Sequence, residues 1–200
     1  MEELIYQRCN DLIRRVYNEA HTSNDAYRII DLLDCVSHNQ VRSKEWMVDT
    51  LTMYKGHFNQ VLYLAGWYGL GPYFLSAFAK KVISVDYDPK AKSFGKRLFP
   101  NKIEFVTKNI LEYTIYKEYE CVILTSCEHL PSAVLSVLIA KIPKGTLVCF
   151  QSTDYDHPSH INTHKTVKDL VNEFPSYVDI LYADSLQIHD CNRHMVIAKI

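Results

Sequence analysis

The sequence predicts an α/β fold, in which a mainly parallel β-sheet follows a short helical extension. Two observations lead to this prediction. After Gly56, short β-branched runs alternate with helical segments, which is the order produced by βαβ crossovers. The chain then closes with two strand-like runs that have no helix between them, which favours an antiparallel pair at one sheet edge. We therefore expect a helical extension or lid over residues 1–57 and a sheet domain over 58–200.

Length, charge and cysteine usage limit the class of protein. The 200 residues suit one domain with a real core, and the net charge of -1 creates no global field toward nucleic acid or membrane. The apolar stretches are too short to span a bilayer, and the charged N-terminus lacks a signal-peptide core. The six cysteines are scattered and form no CxxC pair, which indicates a reducing, cytoplasmic compartment without disulfides or a cysteine-based zinc site.

Three helices are predicted in the extension. Apolar residues recur at helical intervals near the N-terminus, from Leu4 to Val16. Ser23 or Asn24 would cap a second helix, and Ser43 would cap a third that ends at Gly56. A polar segment precedes the third helix and consists of Gln40, Arg42, Ser43 and Lys44. It would either form a solvated turn between helices or extend into a ligand pocket beside the sheet.

The remaining elements follow in alternation. Strands are predicted at residues 61–65, 82–86, 102–107, 121–125 and 146–151, with the closing pair at 178–183 and 194–200. Helices are predicted to open at Pro72, at Pro89 after an Asp88 cap, and at about Ser132 to Lys141, with a last one that carries Val167 to Phe174. The polar stretch from Asp184 to His194 is predicted to be a loop.

The stretch VLYLAGWYGLG, residues 61–71, is a strand that runs into a glycine-rich loop. In a doubly wound sheet, ligands bind beyond the carboxyl ends of the strands, and Gly66, Gly69 and Gly71 would let backbone N–H groups face such a ligand. A turn that needs positive φ produces the same pattern. Asp86, seventeen residues past Gly69 at the tip of the next strand, favours a nucleotide-like ligand, because an acid there accepts hydrogen bonds from a ribose diol.

Residues 58–200 resemble the class I S-adenosylmethionine-dependent methyltransferases, which have a Rossmann-like doubly wound sheet of seven strands. The resemblance rests on the terminal strand pair and on four motifs, VLYLAGWYGLG, VISVDYDP, FVTKNILEY and CVILTSCEHL. It implies transferase activity with S-adenosyl-L-methionine as the cofactor. The positions that it implies for cofactor binding are Ala65, Gly66, Trp67, Gly69, Asp86, Tyr87, Asn109 and Ile110.

Candidate catalytic groups follow the fourth and fifth strands. Methyl transfer requires an oriented acceptor and, for a protonated nucleophile, a base. The candidates are Glu128, His129, His157 and His160. Alternatively, Glu128 would cap the following helix, and the histidines would be ordinary residues of hydrated loops. A metal held by His157, His160 and a carboxylate is conceivable, but the spacing is a loose signal and no metal is predicted.

The acceptor is expected to be a small molecule. The segment from Ser126 to His129 lacks the Asp/Asn-Pro-Pro-aromatic motif of adenine methyltransferases, and the chain has no basic arm, although nucleic acid is not excluded. Tyr63 occupies the slot where the family commonly carries an acid. Either the methionine ammonium is held otherwise, for example by Glu45 or Asp49, or the site is degenerate. Alternatively, the enzyme transfers the aminobutyryl arm or acts as a lyase. A non-catalytic cofactor-binding subunit and a nicotinamide enzyme are further alternatives, and the oligomeric state is open.

Overall fold

A computed structural model describes residues 13–19, 21, 26–99, 103–189 and 191–200. Residues 13–19 are helical, and two further helices precede the sheet, α1 (Ala26–Asp34) and α2 (His38–Tyr54). The strands are β1 (Phe58–Leu64), β2 (Ala79–Asp86), β3 (Glu104–Thr107), β4 (Cys121–Leu124), β5 (Leu147–Thr153), β6 (Asp179–Ile188) and β7 (Cys191–Lys199). The helices among them are α3 (Leu70–Leu75), α4 (Pro89–Leu98), α5 (Ser132–Lys141) and α6 (Val167–Val171).

The strands form one seven-stranded sheet in the order β3-β2-β1-β4-β5-β7-β6. Strand β1 pairs in parallel with both β2 and β4, whereas β7 runs antiparallel to β5 and β6. The predicted α/β fold, with its mainly parallel sheet and terminal antiparallel pair, is confirmed. The strand order reverses between β1 and β4, so the carboxyl ends of these strands border the position where doubly wound sheets bind ligands.

Apolar side chains cover both faces of the sheet. On one face, Met47 and Leu51 of α2 share a buried cluster with Val61 of β1. On the other, Leu138 of α5 joins Phe150 of β5 in a second cluster. Helices on both faces explain why the central strands read as continuous apolar runs rather than alternating ones. Whether residues 1–57 form a lid in function remains a prediction.

The predicted start of α2 at Ser43 is wrong. The helix begins at His38, and the hydroxyl of Ser37 caps it by accepting a hydrogen bond from the Gln40 N–H at 3.5 Å. Ser43 lies inside the helix and is buried, because the polar segment continues the helix instead of preceding it. The proposed caps of the preceding helix, Ser23 and Asn24, lie outside the described residues, as do the first residues of the N-terminal pattern.

Other helix starts agree or shift by a few residues. Helix α3 begins at Leu70 rather than Pro72, because Gly69 adopts φ +97° and ends the loop earlier. Pro72 lies in the first turn, where its missing N–H removes no intrahelical bond. The predicted Asp88 cap is confirmed, since its carboxylate accepts the Lys90 N–H at 2.8 Å. The bounds predicted for α5 are also confirmed.

The predicted loop from Asp184 to His194 is wrong. Strands β6 and β7 extend through this stretch and turn at His189, which has φ +52°. Strand β6 lies at the edge of the sheet, and most of its residues are exposed or half-buried. Polar residues suit such an edge because they discourage pairing with another chain, and they also conceal the strand from a search for apolar runs.

The described cysteines are all free. Cys35, Cys121, Cys127 and Cys149 are buried thiols, and no disulfide forms among the described cysteines; Cys9 lies outside them. In the described ranges, no helix is both long and apolar enough to cross a bilayer.

A chain of buried hydrogen bonds joins the terminal hairpin to the loop after β5. The His194 ring lies 2.7 Å from the Ser185 hydroxyl through Nδ1 and 3.1 Å from the His164 carbonyl through Nε2. His164 in turn contacts the Ser152 hydroxyl at 2.7 Å and the Glu173 carboxylate at 3.1 Å. Because Ser152 and His164 are buried, this serine–histidine–carboxylate series holds the fold together and presents no nucleophile to a substrate.

We expect His194 to make the free energy of unfolding fall on acidification. Burial lowers its pKa below the ordinary 6.5; Asp154 and the hydrogen bond to the His164 backbone oppose this shift, whereas the charges of His164 and Arg193 add to it. The unfolded chain therefore binds the proton more tightly than the folded protein does. Above about pH 6.5 this difference has no effect, and below it the free energy of unfolding falls progressively. Urea unfolding of His194→Gln from pH 7.5 to 5 should show a shallower slope, by at most about 1.4 kcal/mol per pH unit.

The exposed His57 supplies a matched control for this measurement. The variant His57→Gln should keep the slope of the unmodified protein. Equal slopes for His194→Gln and the unmodified protein would contradict the assignment.

Candidate functional site

The loop after β1 closes on strand β2 through its own backbone. The Gly66 N–H donates to the Val85 carbonyl at 3.3 Å, and the Gly69 N–H donates to the Gly66 carbonyl at 3.0 Å. The Trp67 N–H donates to Oδ2 of Asp86 at 2.9 Å. These three N–H groups, which the sequence suggested would face a ligand, thus shape the loop itself.

Two residues of this loop have strained backbones. Ala65 and Trp67 adopt φ +49° and +46°, in the left-handed region that side chains other than glycine seldom occupy. The Trp67 ring stacks on Tyr68 with centroids 4.8 Å apart, and the buried Tyr68 hydroxyl lies 3.4 Å from the Asp31 carboxylate of α1. The aromatic pair therefore anchors the loop under the N-terminal helices, which supplies the packing that holds this strained conformation.

The glycines of the loop are required by neighbouring side chains. A Cβ on Gly71 would lie 2.2 Å from the hydroxyl oxygen of Tyr63, and one on Gly69 would lie 2.7 Å from Cζ of Phe105. Tyr63 fills the slot of the family's usual acid, and its hydroxyl lies 2.8 Å from Oγ1 of Thr125 on the β4 side. Burial raises the pKa of Tyr63, so it remains a neutral phenol and supplies no anion for an ammonium group.

Asp86 retains hydrogen-bonding capacity at the carboxyl end of β2. Its Oδ1 accepts the Asp88 N–H at 3.0 Å, and its Oδ2 accepts the Trp67 N–H at 2.9 Å. Burial raises its pKa, and these two N–H bonds oppose the rise. A carboxylate has about four lone-pair sites, so about two remain for further donors. Asp86 is only half-buried, so these sites are not sealed inside the core.

The residues suggested for the adenine side lie beside Asp86. The Lys108 N–H donates to the Asp86 carbonyl at 2.9 Å, which places Asn109 at the same edge of the sheet. The exposed Asn109 side chain accepts the Leu111 N–H at 2.9 Å, whereas Ile110 turns its side chain into the core. Tyr87 is 80% exposed, so its ring face is open to a planar ligand.

A second group of residues lies after β4, in the short 3₁₀ turn Cys127–His129. Glu128 is only 4% exposed, and its Oε1 accepts a hydrogen bond from Nη1 of Arg193 at 2.8 Å. Burial alone would raise the pKa of Glu128, but the field and hydrogen bonds led by Arg193 outweigh it and hold the pKa below its ordinary value. Glu128 is therefore a fixed anion and a weak base, although a catalytic role for it stays a prediction.

His129 and His160 meet beside Glu128. Their ring centroids lie 4.8 Å apart, and one donor atom from each of the three side chains lies within 4.8 Å of the others. The Ile161 N–H donates to the Glu128 carbonyl at 2.9 Å, which ties the loop after β5 to the end of β4. Three of the four proposed catalytic residues thus converge, although they lie on two separate loops.

His157 has a different environment. Its Nδ1 accepts the Ser159 N–H at 3.2 Å and lies 2.7 Å from the Ser159 hydroxyl, so the ring is part of a local turn. It is exposed, with its centroid 5.3 Å from that of His160.

The sequence offered Ser43 and Lys44 as residues of a turn or of the pocket, but it did not indicate that they form a buried polar group inside α2. The Ser43 hydroxyl donates to the side-chain oxygen of Gln151 at 3.1 Å, and Nζ of Lys44 donates to the Ser43 hydroxyl at 3.3 Å. Burial, followed by repulsion from Arg193, lowers the pKa of Lys44 well below its ordinary value. The available signal was helical spacing, since Ser43, Lys44, Met47, Val48 and Leu51 share one face.

The two acids suggested for the methionine ammonium lie on the outer side of the same helix. Glu45 pairs with Arg42 at 3.2 Å, and Asp49 is exposed. The inward-facing positions beside them carry Ser43 and Lys44 instead, so this helix directs a cation rather than an acid toward the interior.

Solved structures share this fold, although no protein-family model and no curated protein matches the sequence. The N-methyltransferase NodS of Bradyrhizobium japonicum WM9, in complex with S-adenosyl-L-homocysteine, has a TM-score of 0.66 at 13% identity, covering 96% of this chain and 97% of that chain. The magnesium protoporphyrin IX methyltransferase of Synechocystis PCC 6803, with the same bound product, has a TM-score of 0.63 at 14% identity and 92% coverage of both chains.

A third similar structure extends the comparison. The 1,6-didemethyltoxoflavin-N1-methyltransferase of Burkholderia thailandensis has a TM-score of 0.62 at 11% identity, covering 78% of this chain and 77% of that chain. The suspected resemblance is thereby confirmed at the level of the fold, which is that of the class I S-adenosylmethionine-dependent methyltransferases.

We expect Lys44→Met to raise the thermal stability of the protein. Because the folded-state pKa of Lys44 is lowered, the unfolded chain binds its proton more tightly at pH 7, and folding carries that cost. Methionine fills similar space without an amine to desolvate, and burying a polar group without full hydrogen bonding costs about 1–3 kcal/mol in proteins. A gain of about 1 kcal/mol should raise Tm by about 2–4 °C in a calorimetric scan.

Arg42→Met is the matched control for this variant, since Arg42 is exposed on the same helix. Its effect should stay within about 0.5 kcal/mol. A lower Tm for Lys44→Met at pH 7 would contradict the prediction.

Proposed function

We propose that the protein is an S-adenosylmethionine-dependent methyltransferase that acts on a small molecule. The observation that carries the proposal is the half-buried Asp86 carboxylate, which fixes the loop after β1 and keeps lone pairs for a ribose diol. It lies at the end of β2, next to the switch point of the sheet, where ligands of doubly wound folds bind. Similar folds crystallised with S-adenosyl-L-homocysteine support the choice of cofactor.

The described residues fit an adenosyl group at this edge. Asp86 would accept from the ribose hydroxyls, and the open ring of Tyr87 and the exposed Asn109 would flank the adenine. The strained loop from Ala65 to Gly69 would lie along the cofactor. When bound, S-adenosyl-L-methionine supplies an activated methyl group and its own leaving group.

The acceptor end of the site lies after β4 and β5. His129 and His160 each bond a backbone carbonyl through Nδ1, so each neutral ring keeps its lone pair on Nε2. These nitrogens are the groups suited to take a proton from an acceptor, whereas the ion-paired Glu128 is not. Their assignment as catalytic residues is part of the proposal.

Two facts support a small acceptor. Two enzymes with this fold are named for small acceptors, a toxoflavin precursor and magnesium protoporphyrin IX. The net charge of -1 offers no general attraction for a polyanion.

We expect Asp86→Ala to weaken cofactor binding at least tenfold, which is about 1.4 kcal/mol. The alanine loses the acceptor for the ribose diol and also the bonds to the Trp67 and Asp88 N–H groups. Isothermal titration with S-adenosyl-L-homocysteine measures the effect. Asp86→Asn, which keeps one oxygen for the Trp67 N–H, should also bind less tightly while its loop stays closed.

Asp179→Ala provides the control, because Asp179 is an exposed carboxylate at the start of β6. It should bind like the unmodified protein. Unchanged affinity in Asp86→Ala with an unchanged Tm would count against the proposed site.

We expect the methyl group to be the part of the cofactor that is transferred. The protein would be incubated with a metabolite extract and cofactor labelled either in the methyl group or in the carboxyl group. Label from the methyl group should enter a small-molecule product, and carboxyl label should remain in S-adenosyl-L-homocysteine. Carboxyl label in the product would instead show transfer of the aminobutyryl arm, and tight binding without any product would favour a non-catalytic subunit.

A further inference from the structure

We propose that Glu128, His129 and His160 form a binding site for a first-row transition-metal dication such as Zn²⁺. The three side chains bring one donor atom each to within 4.8 Å of the others. Two imidazoles and one carboxylate are a ligand set found in catalytic zinc sites and in the facial triads of non-haem iron enzymes. The role of this site in acceptor binding rests on the proposed function, whereas metal binding itself does not.

The carboxylate supplies an unused oxygen. Oε1 of Glu128 accepts from Arg193 at 2.8 Å, but the buried Oε2 has no hydrogen-bond partner in the part of the chain that the structure describes. A buried polar atom without a partner destabilises the fold, because it has lost its hydrogen bonds to water. A cation at Oε2 would remove that cost, and the Arg193 bond would orient the ligating carboxylate, as groups around metal ligands commonly do.

The histidines are held in the form that binds metals. Nδ1 of His129 lies 3.0 Å from the Ser159 carbonyl, and Nδ1 of His160 lies 2.8 Å from the Tyr155 carbonyl. A carbonyl only accepts, so both Nδ1 atoms carry the hydrogen and both Nε2 atoms keep a lone pair. A bond from Nδ1–H to a backbone carbonyl is also the usual way in which metal-bound histidines are oriented.

His157 is excluded from this set by its own contacts. Its Nδ1 accepts the Ser159 N–H at 3.2 Å, so its neutral ring carries the hydrogen on Nε2 and has no lone pair there. The sequence alone favoured His157 over His129 as a partner of His160. The structure reverses that choice, because the turn after β4 brings His129 to within a ring-centroid distance of 4.8 Å from His160.

The geometry needs only a small adjustment to hold an ion. Zn–N distances of about 2.0–2.1 Å place two ligands on one ion roughly 3–4 Å apart. The present spacing of up to 4.8 Å closes by shifts of about 1 Å, and His129 is exposed and therefore free to make them. The loop after β5 is already tied to Glu128 through the Ile161 N–H at 2.9 Å.

Three protein ligands leave at least one coordination position open. This position lies beyond the ends of β4 and β5, on the acceptor side of the proposed site. With the ion bound, Nε2 of each histidine is a metal ligand and no longer takes the proton. An acceptor hydroxyl at the open position would instead lose its proton to water, because a dication stabilises the resulting oxyanion. The oxygen lone pair would then form the bond to the methyl carbon, and the electrons of the broken carbon–sulfur bond would return to sulfur.

Metal titration tests the site without any acceptor. Tag-free, chelator-treated protein would be titrated with ZnCl₂ by calorimetry and with Co²⁺ by visible absorption. We expect one ion per chain and at least tenfold weaker binding in His129→Gln, His160→Gln and Glu128→Gln. Mg²⁺ should not compete, because imidazole ligands favour transition metals. Since Glu128→Gln also breaks the Arg193 pair, the two histidine variants, checked for unchanged Tm, decide the result.

His157→Gln is the matched control, since it removes a neighbouring imidazole from the same loop. It should bind Zn²⁺ like the unmodified protein. Absence of saturable binding, or equal losses in His157→Gln and His160→Gln, would overturn the proposal. Titration with S-adenosyl-L-homocysteine separates the two proposals: Zn²⁺ binding without cofactor binding leaves the metal site and overturns the methyltransferase, and the converse overturns only the metal site.

Discussion

The carboxyl edge of the sheet depends on the buried ion pair between Glu128 and Arg193. Removing two charges from water is costly, and this pair offsets the cost with more than one bond, since Arg193 donates both to Oε1 of Glu128 and to the Thr125 carbonyl. The Glu128 carbonyl meanwhile accepts the N–H groups of Ile161 and Asn162 at 2.9 and 3.1 Å. One residue therefore joins the end of β4 to the terminal hairpin and to the loop after β5, which fixes where His129 and His160 meet.

The fold was predictable because its signals are local. Buried parallel strands appear as short apolar runs, and caps such as Asp88 mark helix starts within a few residues. The predictions of secondary structure were wrong where contacts between residues distant in sequence determine the local structure. Strand β6 is polar because it lies at an edge, and Gly69 rather than Pro72 opens α3 because the loop closes on β2. Neither fact can be obtained from the spacing of residues along the chain.

Within the candidate site, the placement of residues was predictable where strand ends alone determine position. Asp86 and Asn109 both follow strands, and parallel strands bring them to one edge, as the Lys108–Asp86 bond shows. Partners from distant parts of the chain were missed, because Arg193 is 65 residues from Glu128 and Gln151 is 108 from Ser43. The sequence explained the glycines of the loop by ligand approach or by positive φ. It did not indicate that side chains from the strands, such as Tyr63, pack closely against them.

Two carboxylates at opposite ends of β4 differ in how completely their oxygens are bonded. Oε2 of Glu120, just before the strand, accepts the Asn59 N–H at 2.6 Å and pairs with Lys55 at 3.1 Å, and its Oε1 accepts the Asn59 side-chain amide at 2.8 Å, so both oxygens are used near solvent. Glu128, just after the strand, is buried and leaves one oxygen without a partner among the described residues. Stability alone would favour the first arrangement at both ends. The unmet oxygen, the strained backbone of Ala65 and the depressed pKa of Lys44 all lie at the other end, and departures of this kind concentrate where a protein binds or transforms a ligand.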